Sequence, residues 1–182
     1  AEREAVVYRY PEIGIDIRWT FAGLRDESDR LAKGLIALGI ERDRKVAVLA
    51  PNIPEWILLE MALARIGAIM VTVNPAYRKD ELAYVLEQSE ADTLFIVDTY
   101  RDNAFIAILN ELIPGLDTGG IGSVAAGERR FPSLRHVVLL GGAGAPGFLT
   151  FAEVVARGVA ISGTALHERA YAVHPYDVAQ ID

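Results

Sequence analysis

The sequence predicts an α/β domain: a doubly wound, mainly parallel sheet with flanking helices, preceded by an N-terminal β-hairpin. Three observations carry that reading. Short apolar runs alternate with stretches whose apolar residues recur at helical spacing, from Trp19 to Leu140. One of those runs, Val46-Ala47-Val48-Leu49, is apolar at every position, as suits a strand covered on both faces. Ahead of them, Ile13, Ile15, Ile17 and Trp19 alternate strictly with polar residues, the mark of strands with one buried face.

Taken in order, residues 5–10 form the first arm of the hairpin, Pro11 and Gly14 lie in its turn, and the alternating segment forms its second arm. Thr20 is a helix N-cap. Behind it Leu24, Ser28, Leu31, Leu35 and Leu38 share one helical face, and Gly39 supplies the left-handed residue that ends the helix. After the 46–49 strand, Pro54 suits the first turn of a helix, where its missing N–H costs nothing, and Gly67 stops that helix. The cycle then repeats: strand 69–73 and helix 81–89, strand 93–97 and helix 102–113, ended by Pro114. Residues 116–132 are polar and glycine-rich and read as a long loop. Strand 136–140 follows. Thr150 and Glu153 have capping-box spacing and open a short helix, and a second helix spans residues 164–172. Strand order is not legible from this pattern. The expected organisation is a hairpin over 1–20, an α/β unit over 21–160, and a helix with a trailing segment over 161–182.

Composition narrows the function. The chain has 182 residues, 52% hydrophobic and 24% charged, a globular balance. A formal charge of −7 argues against a nucleic-acid footprint, so no nucleic-acid partner is expected. The absence of cysteine excludes disulfides, thiolate metal sites and a cysteine nucleophile. No charged-then-apolar leader opens the chain, and the expected location is cytoplasmic. The most apolar stretch, residues 56–73, is broken by Glu60 and Arg65 and reads as a helix and a strand, not a membrane span.

Gly142-x-Gly144-x-x-Gly147 has the spacing of a dinucleotide fingerprint. Pro146 biases Ala145 away from helix, and the next helix opens at Thr150, so no helix N-terminus faces the glycines. A surface loop is the better reading. Lys33, Lys45 and Lys79 follow no glycine loop and precede no Ser or Thr, which excludes a Walker-type phosphate loop within the chain. His136, His167 and His174 are scattered and have no metal-ligand spacing. Asn52, Asn74 and Asp98 fall at the carboxyl ends of strands, where open α/β sheets bind ligands, but Asx residues also satisfy turn backbones and the structural role is favoured. No residue is therefore assigned a catalytic, cofactor-binding or metal-binding role.

The order of the local motifs resembles the N-terminal part of the adenylate-forming superfamily, which includes acyl-CoA synthetases, peptide-synthetase adenylation domains and luciferases. Trp19-Thr20-Phe21 leads to Leu31-Ala32, Leu38-Gly39-Ile40, Val46-Ala47-Val48 and Pro51-Asn52. Pro54-Glu55-Trp56, Ala64 and Gly67-Ala68 come next, then Val73-Asn74-Pro75-x-Tyr77, Glu81-Leu82-x-Tyr84-x-Leu86 and Ser89-x-Ala91. The Val-Asn-Pro-x-Tyr and Glu-Leu-x-Tyr-x-Leu elements are most similar to medium- or long-chain fatty acyl-CoA ligases. The residues from His174 to Ile181 resemble the lead-in to the family's Thr/Ser/Gly-rich phosphate loop, which is expected just after Asp182. Two departures stand out: Glu41-Arg42-Asp43-Arg44-Lys45 replaces the usual Gly-Asp turn, and Gly23 stands where a capping-box Glu is common.

The resemblance implies a parent fatty acid–CoA ligase that uses ATP, Mg2+ and CoA and acts on a fatty acid or related carboxylate. It implies that this segment alone binds none of these cofactors and is inactive, because the phosphate loop and the catalytic C-terminal domain lie downstream. Peripheral membrane contact and homo-oligomerisation of the parent stay open. So do two other readings: a stand-alone binding or interaction module without catalysis, and adenylation feeding a carrier-protein thiol.

Overall fold

The N-terminal hairpin pairs β1 (Glu4–Tyr10) with β2 (Ile15–Thr20) in antiparallel register, Tyr8 opposite Ile17, with an irregularity between Glu4 and Val6. A computed structural model describes residues 2–11, 15–121 and 129–182; Ile13 and Gly14, read above as part of the hairpin, lie outside the described residues. On β2, Ile15, Ile17 and Trp19 are half-buried while Asp16 and Arg18 face solvent, as the alternation requires.

Helix α1 (Phe21–Ala37) begins where Thr20 Oγ1 accepts a hydrogen bond from the Gly23 N–H at 3.1 Å. The first turn of α1 holds no acidic residue. A Cβ added at Gly23 would come no closer than 3.5 Å to another atom. Gly23→Glu should therefore raise stability by about 1 kcal/mol, from reduced backbone freedom and a negative charge at the helix N-terminus; urea unfolding midpoints of the two proteins check this.

The helix ends at Gly39, whose φ of 89° is left-handed. The unusual 41–45 turn then delivers the chain to β3 (Lys45–Leu49) with Asp43 itself left-handed at φ 62°. Asp takes over the conformation for which glycine is the commoner choice. Helix α2 (Pro54–Ile66) has Pro54 in its first turn and stops at the left-handed Gly67. Strand β4 (Ile69–Val73), helix α3 (Lys79–Ser89) and strand β5 (Thr93–Ile96) follow.

Here the structure departs from the sequence reading. The helix expected from Asp102 begins three residues later, as α4 (Phe105–Leu112). A tight antiparallel turn, β6 (Thr99–Tyr100) with β7 (Asn103–Ala104), takes its place, with Arg101 at φ 53°. The expected 116–132 loop opens with a short helix, α5 (Leu116–Gly119), and buries Leu116 and Phe131; its residues 122–128 lie outside the described part. Strands β8 (His136–Leu139) and β9 (Leu149–Thr150) precede α6 (Phe151–Arg157), which carries the full Thr150/Glu153 capping box. A 3-10 turn (Gly158–Ala160) leads to α7 (Gly163–Tyr171), capped by Ser162, and the tail ends in β10 (Gln180–Ile181).

The main sheet has the order β10-β4-β3-β5-β8-β9, and every neighbouring pair is parallel. The central strand β3 is buried from Val46 to Leu49 and β5 from Thr93 to Ile96, as double coverage requires. Right-handed crossovers put α2 and α7 on one face, with α1 and α6, and α3 and α4 on the other. The α1 and α6 layers meet backbone to backbone. A Cβ on Gly34 would lie 2.9 Å from the Val154 carbonyl carbon and nearer still to its oxygen.

Candidate functional site

From β3 the chain first moves outward to β4 and then crosses to β5 on the other side, so the winding reverses at β3. In open α/β sheets the crevice beyond the carboxyl ends of the strands at such a reversal is where ligands bind. Here it lies beyond Leu49 and Ile96, flanked by the turns after β4 and β8. Asn52, Asn74 and Asp98 all reach this edge, as the sequence predicts, and each is engaged in structure.

Asn52 Oδ1 accepts a 2.7 Å hydrogen bond from the Tyr8 hydroxyl, which ties the hairpin to the turn after β3. Burial of the phenol, with Tyr10 and Glu55 nearby, pushes the Tyr8 pKa up, so the hydroxyl stays protonated and donating. Asn74 Oδ1 accepts from the Ala76 N–H at 2.9 Å, closing an Asx turn. Asp98 Oδ1 accepts from the Thr99 N–H at 2.7 Å. Asn103, which the sequence reading places inside a helix, instead buries its carboxamide and donates to the carbonyls of Pro75 at 3.3 Å and Tyr77 at 3.1 Å. The turns after β4 and β5 are thereby fastened to each other.

The glycine loop after β8 also reaches this edge. Gly142, Gly144 and Gly147 are all left-handed, with φ of 74°, 88° and 83°. The helix that follows begins only after the Thr150 cap, and a Cβ on Gly144 would lie 3.0 Å from Thr150 Cγ2. Gly147 has a packing reason as well: a Cβ there would collide with the Leu116 carbonyl oxygen on α5.

The histidines fall elsewhere. His136 opens β8 at the amino edge, where burial pushes its imidazole below the ordinary value against the opposing pull of Asp92. His167 and His174 are exposed on α7 and on the tail. Lys79 pairs with Glu111 at 2.7 Å, and Lys45 lies 3.9 Å from Glu90. Among the described residues no three His, Asp or Glu side chains converge as a metal set would require, and no helix is long and apolar enough to cross a membrane.

Two features escape the sequence reading. The first is a network on the tail. Arg42 donates to the Ala172 carbonyl and through one nitrogen to both oxygens of Asp177, at 2.8 Å each. Arg169 donates to the carbonyls of Ile66 at 3.1 Å and Ile40 at 3.0 Å. Each partner is 100 or more residues away in sequence, so no local spacing signals it. The second is an apolar groove of about 540 Å3 between α1, α2 and the tail, lined by Phe21, Leu24, Met61, Ala64, Val173 and Pro175.

By fold and by the order of its strands, the chain is a doubly wound α/β domain whose winding reverses at β3. The model of the AMP-binding enzyme family matches residues 1–122, and the chain belongs to that family of adenylate-forming ligases. YngI of Bacillus subtilis (strain 168), which bears a provisional acyl-CoA synthetase name, is 40% identical over 140 residues, covering 77% of this chain and 24% of that protein. The human mitochondrial medium-chain acyl-CoA ligase ACSF2 is 34% identical over 157 residues, covering 86% of this chain and 24% of its own. A long-chain-fatty-acid-CoA ligase (FadD1) from Archaeoglobus fulgidus superposes with a TM-score of 0.63 over 86% of this chain and 27% of that one; at 23% identity this speaks for the fold. The chain thus spans about a quarter of the length of the curated relatives it matches.

Proposed function

We propose that the chain is the N-terminal part of an ATP-dependent fatty acid–CoA ligase. The observation that carries this reading is the ordered motif series on a parallel sheet whose last strand, β10, runs toward the carboxyl edge. Met70 N–H donates to the Ala179 carbonyl at 2.9 Å, Ile181 pairs with Val71, and Thr72 Oγ1 donates to Asp182 Oδ1 at 2.7 Å. A segment following Asp182 in a longer protein would leave the sheet at its carboxyl edge beside β4, next to the crevice, where a phosphate-gripping loop is useful.

The reaction has two halves. A carboxylate oxygen attacks the α-phosphorus of ATP, the bond from that phosphorus to the bridging oxygen breaks, and pyrophosphate leaves. The CoA sulfur then attacks the acyl carbon, the acyl–oxygen bond breaks, AMP leaves and the thiol proton is released. Mg2+ enters with ATP and would neutralise phosphate charge. No step here is assigned to a residue of this chain. What its residues contribute is the set of turns at the carboxyl edge, held by Asn52, Asn74, Asp98 and Asn103.

The exposed apolar groove favours this reading over a self-contained binding module. Phe21 is 58% and Met61 44% exposed at its walls, as expected of a face that packs against further protein. The cysteine-free composition fits a cytoplasmic setting. The test is acid-dependent exchange of labelled pyrophosphate into ATP. The full-length protein should exchange with medium- or long-chain fatty acids and then release AMP on addition of CoA, while residues 1–182 alone should do neither. Transfer to a carrier-protein thiol but not to CoA would redirect the second half-reaction. Absence of exchange with any carboxylate would overturn the proposal.

A further inference from the structure

We propose that Arg42 is a positioning residue for ATP binding: with Asp177 it clasps the tail so that β10 lies in register beside β4. The proposal rests on the reading above, in which the segment after Asp182 grips the nucleotide phosphates.

Strand β10 is held to β4 by a short ladder and the Thr72–Asp182 hydrogen bond. It is two residues long, both exposed, at the sheet edge, and a strand that short frays unless tied down. The tie is three residues upstream of Gln180. Asp177 is held on one side by Arg42 and on the other by the His174 N–H, which donates to Asp177 Oδ2 at 2.8 Å. Arg42 holds the chain a second time through the Ala172 carbonyl. Its side chain is 37% exposed and that of Asp177 22%, so the pair is partly shielded from solvent.

Gly67 lies beneath the clasp. A Cβ at Gly67 would stand 3.2 Å from both Arg42 Cγ and Val173 Cγ2, so the arginine stem and the tail meet over a residue without a side chain. Arg169 fixes the preceding helix through the carbonyls of Ile66 and Ile40, on either side of the same crossing. The 41–45 turn, where the sequence departs from its family, is thus the turn that presents Arg42. From Asp177 to Asp182 the extended chain covers roughly 17 Å, so a small swing at the clasp becomes a displacement of the phosphate-gripping segment. Displacements near 1 Å are costly in such sites.

The test uses the full-length protein and steady-state pyrophosphate exchange, with urea unfolding midpoints measured in parallel. Arg42→Ala and Asp177→Ala should raise KM for ATP about tenfold while leaving KM for the fatty acid within about twofold. Arg42→Lys should recover part of the loss, and the exchanged pair Arg42→Asp with Asp177→Arg more than either single change. Amide exchange at Ile181 should quicken in Arg42→Ala. An unchanged KM for ATP, or a parallel rise for ATP and acid that tracks lost stability, would overturn the clasp. A wild-type protein without acid-dependent exchange would instead sink the underlying function.

Discussion

Replacing Gly34 by leucine should cost about 3 kcal/mol and move the thermal midpoint down by roughly 6–12 °C. Gly34 sits on the buried side of α1, where the Val154 carbonyl and the Val155 Cα, 3.2 Å from the missing Cβ, occupy the space a side chain needs. The neighbouring atoms are backbone, which cannot rotate away. Either α6 moves off α1, exposing Val154, or α1 bends. The reciprocal contact is equally close: a Cβ on Gly158 would lie 2.8 Å from the Gly34 nitrogen. Gly163 is the control. It opens α7 with nothing within 4 Å of an added Cβ, so Gly163→Ala should stabilise by about 0.5 kcal/mol through reduced freedom of the unfolded chain. Calorimetry on the two variants should show opposite signs. A Gly34→Leu protein that melts with the parent would refute the close approach.

The second large effect belongs to the amino edge. Asp92 is 2% exposed, and its carboxylate accepts from Arg135 Nε at 2.6 Å and from the Thr93 hydroxyl at 3.0 Å. Arg135 also donates to the Gly39 carbonyl at 3.0 Å, so one guanidinium joins the ends of α1, β5 and β8. The pair is asymmetric, because the Arg135 side chain is 44% exposed. Arg135→Met strands a buried carboxylate and should cost about 3 kcal/mol. Asp92→Asn leaves the arginine free to find water and should cost about 1–2 kcal/mol. The double variant should be less destabilised than the sum, with a coupling of about 1 kcal/mol in a mutant cycle. Equal losses from the two single changes would show that the carboxylate is not the buried partner.

Much of the architecture is legible in the sequence because its signals are local. Thr20, Pro54, Gly67 and the Thr150/Glu153 box mark helix ends through backbone groups within four residues. The apolar run at 46–49 marks a strand because both of its faces are covered. The misreadings occur where a distant partner decides. The 102–113 helix loses its first turn because Asn103 is drawn to carbonyls near Pro75, and apolar periodicity from Phe105 onward carries no trace of that competition. Leu116 and Phe131 are buried within a stretch whose glycines suggest a loop. The strand order has no local signal at all, and the Asp92–Arg135 pair and the Arg42 clasp join segments 40 or more residues apart. Of the candidate site, the carboxyl-edge residues could be named in advance, but not what they hold.

The placement of β3 at the middle of a wholly parallel sheet has a kinetic consequence. Both neighbours of β3 are synthesised after it, β4 first and β5 next, on opposite sides, and β10 joins β4 only once residues 180–181 have been made. Every pairing of the main sheet but β8 with β9 must close a crossover of about twenty or more residues before its hydrogen bonds form, so the folding barrier is dominated by loop closure. A growing chain therefore holds β3, with all its apolar side chains, half-paired for the time it takes to make α3 and β5. Mutations that slow that step should lower the yield of soluble protein more than they lower the stability of the finished fold.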